Sequence, residues 1–147
     1  IEWHRQINQR TITRYLTHLD GKTTATLPPI TLPTDSAITF LASAEAIFNE
    51  GASMGHCIAT YAETAVRGQC YLFHVDYQNT QASVMVDIYG KAVQSYGPHN
   101  TITPASEYGA RMLSAWGIAF PPPETSTFTR FGDFLRVPIH EIDYHPF

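Results

Sequence analysis

Two adjacent residues, His56 and Cys57, carry the strongest potential for chemistry in the chain. Apolar spacing predicts a helix from Ser53 to Arg67 with Ser53 as its N-cap, so both residues would lie in the first helical turn. Free N–H groups and the dipole at a helix start stabilise a thiolate. Tyr61 lies four residues after Cys57 and would share its face. The pattern allows catalysis by Cys57, His56 and Tyr61, or simple packing of Cys57 in the core.

Polar residues near the middle of the chain form a second candidate site, for ligand binding rather than catalysis. Gln94 is predicted in mid-strand, and His99 and Asn100 follow in a Gly-Pro loop. A carboxamide can pair with a base edge, a peptide bond or a carboxylate. Taken singly, Asn100 could satisfy loop backbone groups and Gln94 could face water. Together with His56, these residues are the predicted ligand-binding set, and His99 or His74 would serve Cys57 as base better than its neighbour.

Histidines and cysteines are also metal ligands, but their spacing here matches no standard zinc signature. Cys70 and His74 would share one face of a strand, which leaves a metal site as a minor alternative. A Cys57–Cys70 disulfide is possible in principle, although a reducing compartment disfavours it. The sequence therefore predicts neither a metal site nor a cofactor.

The elements that position these residues follow from periodicity and turn signals. An amphipathic helix is predicted from about Ile7 to Leu19, followed by a Pro-containing extended stretch. Later helices and strands are predicted at Ser43 to Glu50, Ser53 to Arg67, Gln69 to Val75, Ala82 to Tyr89, Ala92 to Tyr96, Pro104 to Trp116 and, in the tail, between Phe128 and Ile142. Short connections predict an α+β fold, with a three- to four-stranded antiparallel meander sheet packed by three to four helices.

Size and composition limit the classes of function. The chain has 147 residues, which suits one domain, and we divide it into 1–35, a core at 36–120 and an extension at 121–147 that packs on the core. A formal net charge of −4 argues against a broad electrostatic grip on nucleic acid. Two cysteines are too few for a disulfide framework, which favours the cytoplasm. No apolar run has the roughly 20 residues of a membrane helix, so no membrane partner is expected.

A family resemblance connects the two candidate sites. The chain carries His56-Cys57 followed by Tyr61 and Gly68, then hydrophobic strands, then a Gln-x-x-Gly-x-x-Asn pattern made by Gln94, Gly97 and Asn100. In this order the residues resemble the PcfJ-like family, which is associated with plasmids, conjugative elements and phages. The resemblance implies that His56, Cys57, Tyr61, Gln94 and Asn100 form one cluster, because the helix and the glycine loop could meet at one end of the sheet.

Two functions follow from this cluster. The favoured hypothesis is a binding module of a mobile genetic element that recognises a nucleic acid, a nucleotide or a partner protein. The alternative is a cysteine-dependent transferase or hydrolase with Cys57 as nucleophile. The sequence does not indicate an oligomeric state.

Overall fold

The structure is a computed structural model and describes residues 20, 22–123 and 144–147. The helix expected from Ile7 to Leu19 and the strand expected between Phe128 and Ile142 lie outside these residues.

The centre of the fold is a four-stranded antiparallel sheet with the strand order β1-β2-β3-β4. Its strands are β1 (Ile38–Phe40), β2 (Tyr71–Tyr77), β3 (Thr80–Val86) and β4 (Ala92–Tyr96). Gln78 and Asn79 connect β2 to β3 with positive φ at both positions, the backbone that suits a tight hairpin between twisted strands. The predicted meander and α+β class are confirmed. The short strand β1 was missed, since its three residues are too few for a periodicity signal.

Helices cover both faces of this sheet. They are α1 (Ala44–Met54), a 3-10 turn (Ile58–Tyr61), α2 (Ala62–Val66) and α3 (Pro104–Gly117), and a second 3-10 turn (Pro98–Asn100) follows β4. Ser43 caps α1 by accepting a hydrogen bond from the backbone of Ala46, as the sequence predicts. Thr103 caps α3 in a reciprocal capping box with Ser106.

The predicted helix from Ser53 to Arg67 is wrong. Helix α1 continues through Gly51 and ends at Gly55, which adopts a left-handed conformation with φ 65° and donates its N–H to the Gly51 carbonyl. Of the two glycines, Gly55 is therefore the helix terminator, because only it has the left-handed backbone that closes a helix. His56 and Cys57 lie in the turn after α1, and Cys57 precedes a 3-10 turn of four residues.

The two faces of the sheet bury different kinds of side chain. Helix α3 covers an apolar face, to which β2 and β3 contribute Phe73, Val75, Val84 and Val86. Helices α1 and α2, with the 3-10 turn between them, cover the opposite face around Leu72 and Met85. Phe147 joins this second core and is only 1% exposed. The second face also holds the buried polar residues described next.

Candidate functional site

A chain of hydrogen-bonded polar side chains is buried between α1 and the sheet. Glu50, near the end of α1, accepts a hydrogen bond of 2.5 Å from the hydroxyl of Ser83 on β3. The same carboxylate oxygen, Oε2, lies 2.7 Å from Nδ1 of His74 on β2. Nε2 of His56 lies 3.0 Å from the Ser83 oxygen. We call His56, Ser83, Glu50 and His74 the polar chain. It satisfies groups that would be costly to bury unpaired.

The geometry of the polar chain assigns the hydrogen on His56. Ser83 has one hydroxyl hydrogen, which it donates to Glu50, so its oxygen can only accept from His56. Nε2 of His56 therefore carries the hydrogen. The other ring nitrogen, Nδ1, accepts the backbone N–H of Ile58 at 3.4 Å. His56 is a fully buried, neutral imidazole with both nitrogens engaged, so it offers no free base to Cys57.

His74 is the titratable end of the polar chain. The hydrogen bond to Glu50 raises the pKa of His74, and the nearby carboxylate of Asp76 adds to the rise, while burial opposes it. The Nε2 atom of His74 lies 3.3 Å from an oxygen of Asp76, whose side chain is largely exposed. The polar chain thus runs from the buried ring of His56 to the protein surface.

Residues of the family motif surround the segment Tyr144–Phe147. We define the motif groove as the surface formed by His56, Cys57, Tyr61, Gln94 and Tyr96, all in contact with this segment.

Gln94 hydrogen-bonds to the backbone of Tyr144–Phe147 both as a donor and as an acceptor. Its Nε2 donates to the carbonyl of His145 at 3.0 Å, and its Oε1 accepts the N–H of Phe147 at 3.0 Å. The hydroxyl of Tyr61 donates to the same carbonyl of His145. On the other side, the backbone N–H of Cys57 donates to the carbonyl of Phe147 at 2.6 Å. One carboxamide therefore pairs with two groups that flank residue 146, as a strand residue would in a parallel ladder.

Aromatic rings supply the remaining contacts of the motif groove. The ring of Tyr61 stacks on His145 with a centroid distance of 4.8 Å and meets Phe147 edge-on at 5.9 Å. The ring of Phe147 also lies 5.2 Å from His56 and 6.2 Å from Tyr96. Such ring pairs stabilise the docked segment beyond what the burial of apolar area alone contributes. Phe147 is thereby enclosed by three rings of the groove.

Cys57 contacts the segment through its backbone N–H. It lies outside the first turn of an α-helix, contrary to the prediction, and so lacks the helix dipole invoked to activate it. Burial raises the pKa of the Cys57 thiol. The predicted helical face shared by Cys57 and Tyr61 is absent too, because the two residues are joined by a 3-10 turn. Both the burial and the position outside an α-helix start disfavour a thiolate at neutral pH.

The Gly97 loop is closely packed against its neighbours. A side chain on Gly97 would place its Cβ 2.5 Å from Thr103 and 3.1 Å from the carbonyl of Gln81, so this position requires glycine for close packing. The ring of His99 lies against Gly55, 2.5 Å from where a Cβ would stand. The carboxamide oxygen of Asn100 is buried and has no hydrogen-bond partner among the described residues, so the predicted role of satisfying the loop does not apply to that oxygen.

His99 faces a different surface from the other predicted ligand-binding residues. It lines an open depression of about 850 Å³ between the β2–β3 turn and the 98–103 loop. Asp76, Gln78 and Gln81 contribute to the same lining, whereas His56 and Gln94 do not. His56, Cys57, Tyr61 and Gln94 are brought together around Tyr144–Phe147, whereas His99 lines this separate depression. The plainer interpretation of Gln94 as a water-facing residue is wrong, since it is only 7% exposed.

The structure also bears on the disulfide, metal-site and membrane-helix questions raised by the sequence. The two cysteines form no disulfide with each other, and burial raises the pKa of Cys70 to about 12. Within residues 20, 22–123 and 144–147, no group of three or more His, Cys, Asp or Glu side chains is arranged to hold a metal ion. None of the helices in the described part of the chain is long and apolar enough to span a membrane.

Sequence reasoning missed two features of this site. Glu50 was interpreted only as the end of a helix, and Ser83 as an ordinary strand residue. The even spacing of His74 from Cys70 predicted that the two share one face of a strand, but it did not predict the distant carboxylate that binds His74. The docking of Tyr144–Phe147 had no local signal, since it joins residues far apart in the chain.

Comparison with known proteins gives one finding. No match was found among curated proteins or among solved structures. The profile of a family described as PcfJ-like protein matches residues 4–113. This range includes every motif residue of the groove but ends before the segment that occupies it. Because the match covers well over half of the sequence, the chain belongs to the PcfJ-like protein family.

Proposed function

We propose that this chain is a recognition module of a mobile genetic element, and that it binds a partner protein by holding a short extended segment of that partner in the motif groove. The setting in a plasmid, phage or conjugative element rests on the family resemblance. The absence of a disulfide between Cys57 and Cys70 is consistent with action in the cytoplasm.

The observation that carries this proposal is the two-way pairing of Gln94 with the backbone of residues 145 and 147. A carboxamide that satisfies a carbonyl and an N–H of one chain recognises a peptide irrespective of its side chains. Extended peptides bind other proteins in the same manner, with backbone hydrogen bonds for affinity and pockets for specificity. Tyr144–Phe147 occupies the groove as a ligand peptide would.

The extent of the family match supports a role for the groove beyond holding this one segment. His56, Cys57, Tyr61 and Gln94 lie inside the matched range, whereas Tyr144–Phe147 lies outside it. The groove therefore belongs to the part that the family shares, and its present occupant does not. We infer that the groove serves to accept segments in general.

Charge favours a protein partner over nucleic acid. Two arginines of the described residues illustrate this. Arg67, the C-cap of α2, pairs with Glu63 at 2.8 Å. Arg111 lies over the ring of Tyr108 on α3, which covers the opposite face of the sheet. These two arginines cannot form one basic surface, and a phosphate backbone requires several clustered cations. Arg10 and Arg14 lie outside the described residues.

The enzyme alternative receives no comparable support. Catalysis by a cysteine requires an activated thiol and a base with an available nitrogen. Burial raises the pKa of Cys57, and both ring nitrogens of His56 are occupied. His99 lines a different surface, and His74 is bound to Glu50.

A direct test is binding of a peptide in trans. The attached segment would compete with any added peptide, so the test uses the full chain with Phe147→Ala, which removes the largest contact of the attached segment and leaves the groove intact. A fluorescently labelled acetyl-Tyr-His-Pro-Phe peptide is titrated and its anisotropy measured. We expect saturable binding to this variant and weaker apparent binding to the unmodified chain.

The control is a second substitution in the Phe147→Ala background. Gln94→Ala removes both backbone hydrogen bonds and should reduce affinity by at least about tenfold. Gln81→Ala changes a carboxamide on the neighbouring strand that lies outside the groove and should leave affinity unchanged. Equal affinities of the two double variants, or no peptide binding at all, would refute the proposal.

A further inference from the structure

We infer that the motif groove, in the role proposed above, selects segments of a defined class: an aromatic residue at the first and fourth positions, a planar ring at the second, and any residue, proline included, at the third. The four positions correspond to Tyr144, His145, Pro146 and Phe147. The inference therefore rests on the proposed function and adds to it the chemistry of the partner.

The fourth position requires an aromatic ring because its pocket is made of rings. Phe147 is 1% exposed and contacts His56, Tyr61 and Tyr96 through ring pairs. Its backbone is held on both sides, by Gln94 at the N–H and by Cys57 at the carbonyl. A fully buried, clamped aromatic residue is the usual anchor of a recognition site.

The second position favours a planar ring that remains accessible. His145 is exposed, yet its ring stacks on Tyr61 with an interplanar angle of 22°. Its Nε2 lies 3.2 Å from the hydroxyl oxygen of Thr60, which already donates its own hydrogen to the carbonyl of Cys57. The hydroxyl can therefore only accept, so an N–H on the ring is an additional advantage of histidine.

The third position is tolerant because the groove makes no use of its side chain or its N–H. Pro146 is exposed. Gln94 binds the carbonyl before it and the N–H after it, and these groups point to the same side of an extended chain. The N–H of the residue between them points away, which explains why proline, lacking that N–H, is accepted.

The first position contributes a second aromatic contact at the mouth of the groove. The ring of Tyr144 lies 6.2 Å from that of Tyr61, and its hydroxyl donates to the carbonyl of Gln69 at 3.4 Å. Burial raises the pKa of Tyr144 to about 12, so its hydroxyl keeps the hydrogen that it donates. The ring distance of 6.2 Å equals the longest of the three at the fourth position, and the hydrogen bond is longer than the one Phe147 makes with Gln94, so the first position should contribute less.

The experiment compares substituted peptides against the full chain carrying Phe147→Ala. Replacing phenylalanine by alanine in acetyl-Tyr-His-Pro-Phe should weaken binding at least about tenfold. Replacing tyrosine or histidine by alanine should weaken it about two- to tenfold, and replacing proline by alanine less than about fivefold. The same series with Phe147→Leu, which keeps the core filled, provides a second host if the alanine variant folds poorly.

The outcomes separate this inference from the proposed function. The expected ranking, with the fourth position dominant and the third weakest, supports both. Peptides that bind with equal affinity whatever their side chains would overturn the inference and leave the proposed function standing. Absence of binding for all peptides to both folded hosts would overturn the proposed function and the inference with it.

Discussion

The two faces of the sheet are packed against their helices by different kinds of side chain, apolar on one face and partly polar on the other. Against α3, β2 and β3 present Phe73, Val75 and Val84, and the interface is apolar. Against α1, the same two strands present His74 and Ser83 to the carboxylate of Glu50. Burying polar groups costs free energy that burial of hydrocarbon does not, even when every group is paired.

This difference indicates which face is specialised. A face that only had to hold a helix could be apolar, as the α3 face is. The opposite face carries a polar chain whose inner end, His56, lies 5.2 Å from the ring of Phe147 in the motif groove. The polar chain fixes the orientation of His56 and so shapes the wall of the groove, which is a positioning role rather than a catalytic one.

The largest expected effect comes from removing the centre of the polar chain. Glu50→Ala would remove the carboxylate that accepts hydrogen bonds from both the Ser83 hydroxyl and the His74 Nδ1–H. Breaking a buried, charged hydrogen-bond pair costs about 3 to 5 kcal/mol. The free energy of unfolding in urea should fall by that amount, whereas Glu45→Ala, an exposed position on the same helix, should change it by less than about 1 kcal/mol. Similar losses for both variants would contradict the claim that Glu50 stabilises the fold through its buried hydrogen bonds.

A cavity on the apolar face should cost slightly less and should not reach the groove. Leu113→Ala removes a fully buried side chain of α3 and is expected to lower the free energy of unfolding by about 3 kcal/mol. Peptide affinity, measured in the Phe147→Ala background, should stay unchanged because no groove residue contacts that face. A large loss of affinity in folded protein would show that the two faces are coupled.

The pH dependence of stability offers a smaller, more specific test. Because the pKa of His74 is raised in the folded state, its contribution is fully present below the unfolded histidine pKa and is lost as pH rises through the folded value. Urea denaturation between pH 5.5 and 8.5 should therefore show decreasing stability from this group. His74→Gln should flatten that dependence by on the order of 1 kcal/mol. An unchanged slope would mean that Glu50 and His74 are not coupled.

The smallest effect concerns Cys57. Burial raises the pKa of its thiol, so alkylation by iodoacetamide should increase with pH to a midpoint above that of an ordinary thiol. A Cys70→Ser background leaves Cys57 as the single reporter. Rapid labelling at pH 7 with a low midpoint would restore the cysteine-enzyme hypothesis.

The features predicted correctly from the sequence are those that depend on residues close together in the chain. Alternating apolar residues in Ala82 to Tyr89, the caps at Ser43 and Thr103 and the short connections gave the α+β meander, because each depends on neighbours in the chain. The predicted end of the first helix at Gly51 was wrong because Gly51 and Gly55 carry the same local signal. Only tertiary packing decides which of the two ends the helix.

The candidate site was predictable in part. The family motif identified Tyr61 and Gln94, but the partner of Gln94 is a segment 51 to 53 residues away, and no rule of spacing reaches that far. Glu50 and Ser83 were overlooked because a carboxylate and a hydroxyl acquire their roles only when folding brings them together.

The central claim is that Gln94 holds the backbone of an extended segment, and amide hydrogen exchange at Phe147 tests it most directly. In the unmodified chain the Phe147 N–H is bonded to Gln94 and should exchange slowly. Gln94→Ala should release that protection, while Gln81→Ala should preserve it. Exchange of the Phe147 amide at the rate of a free peptide in the unmodified chain, or equal protection in both variants, would contradict the account.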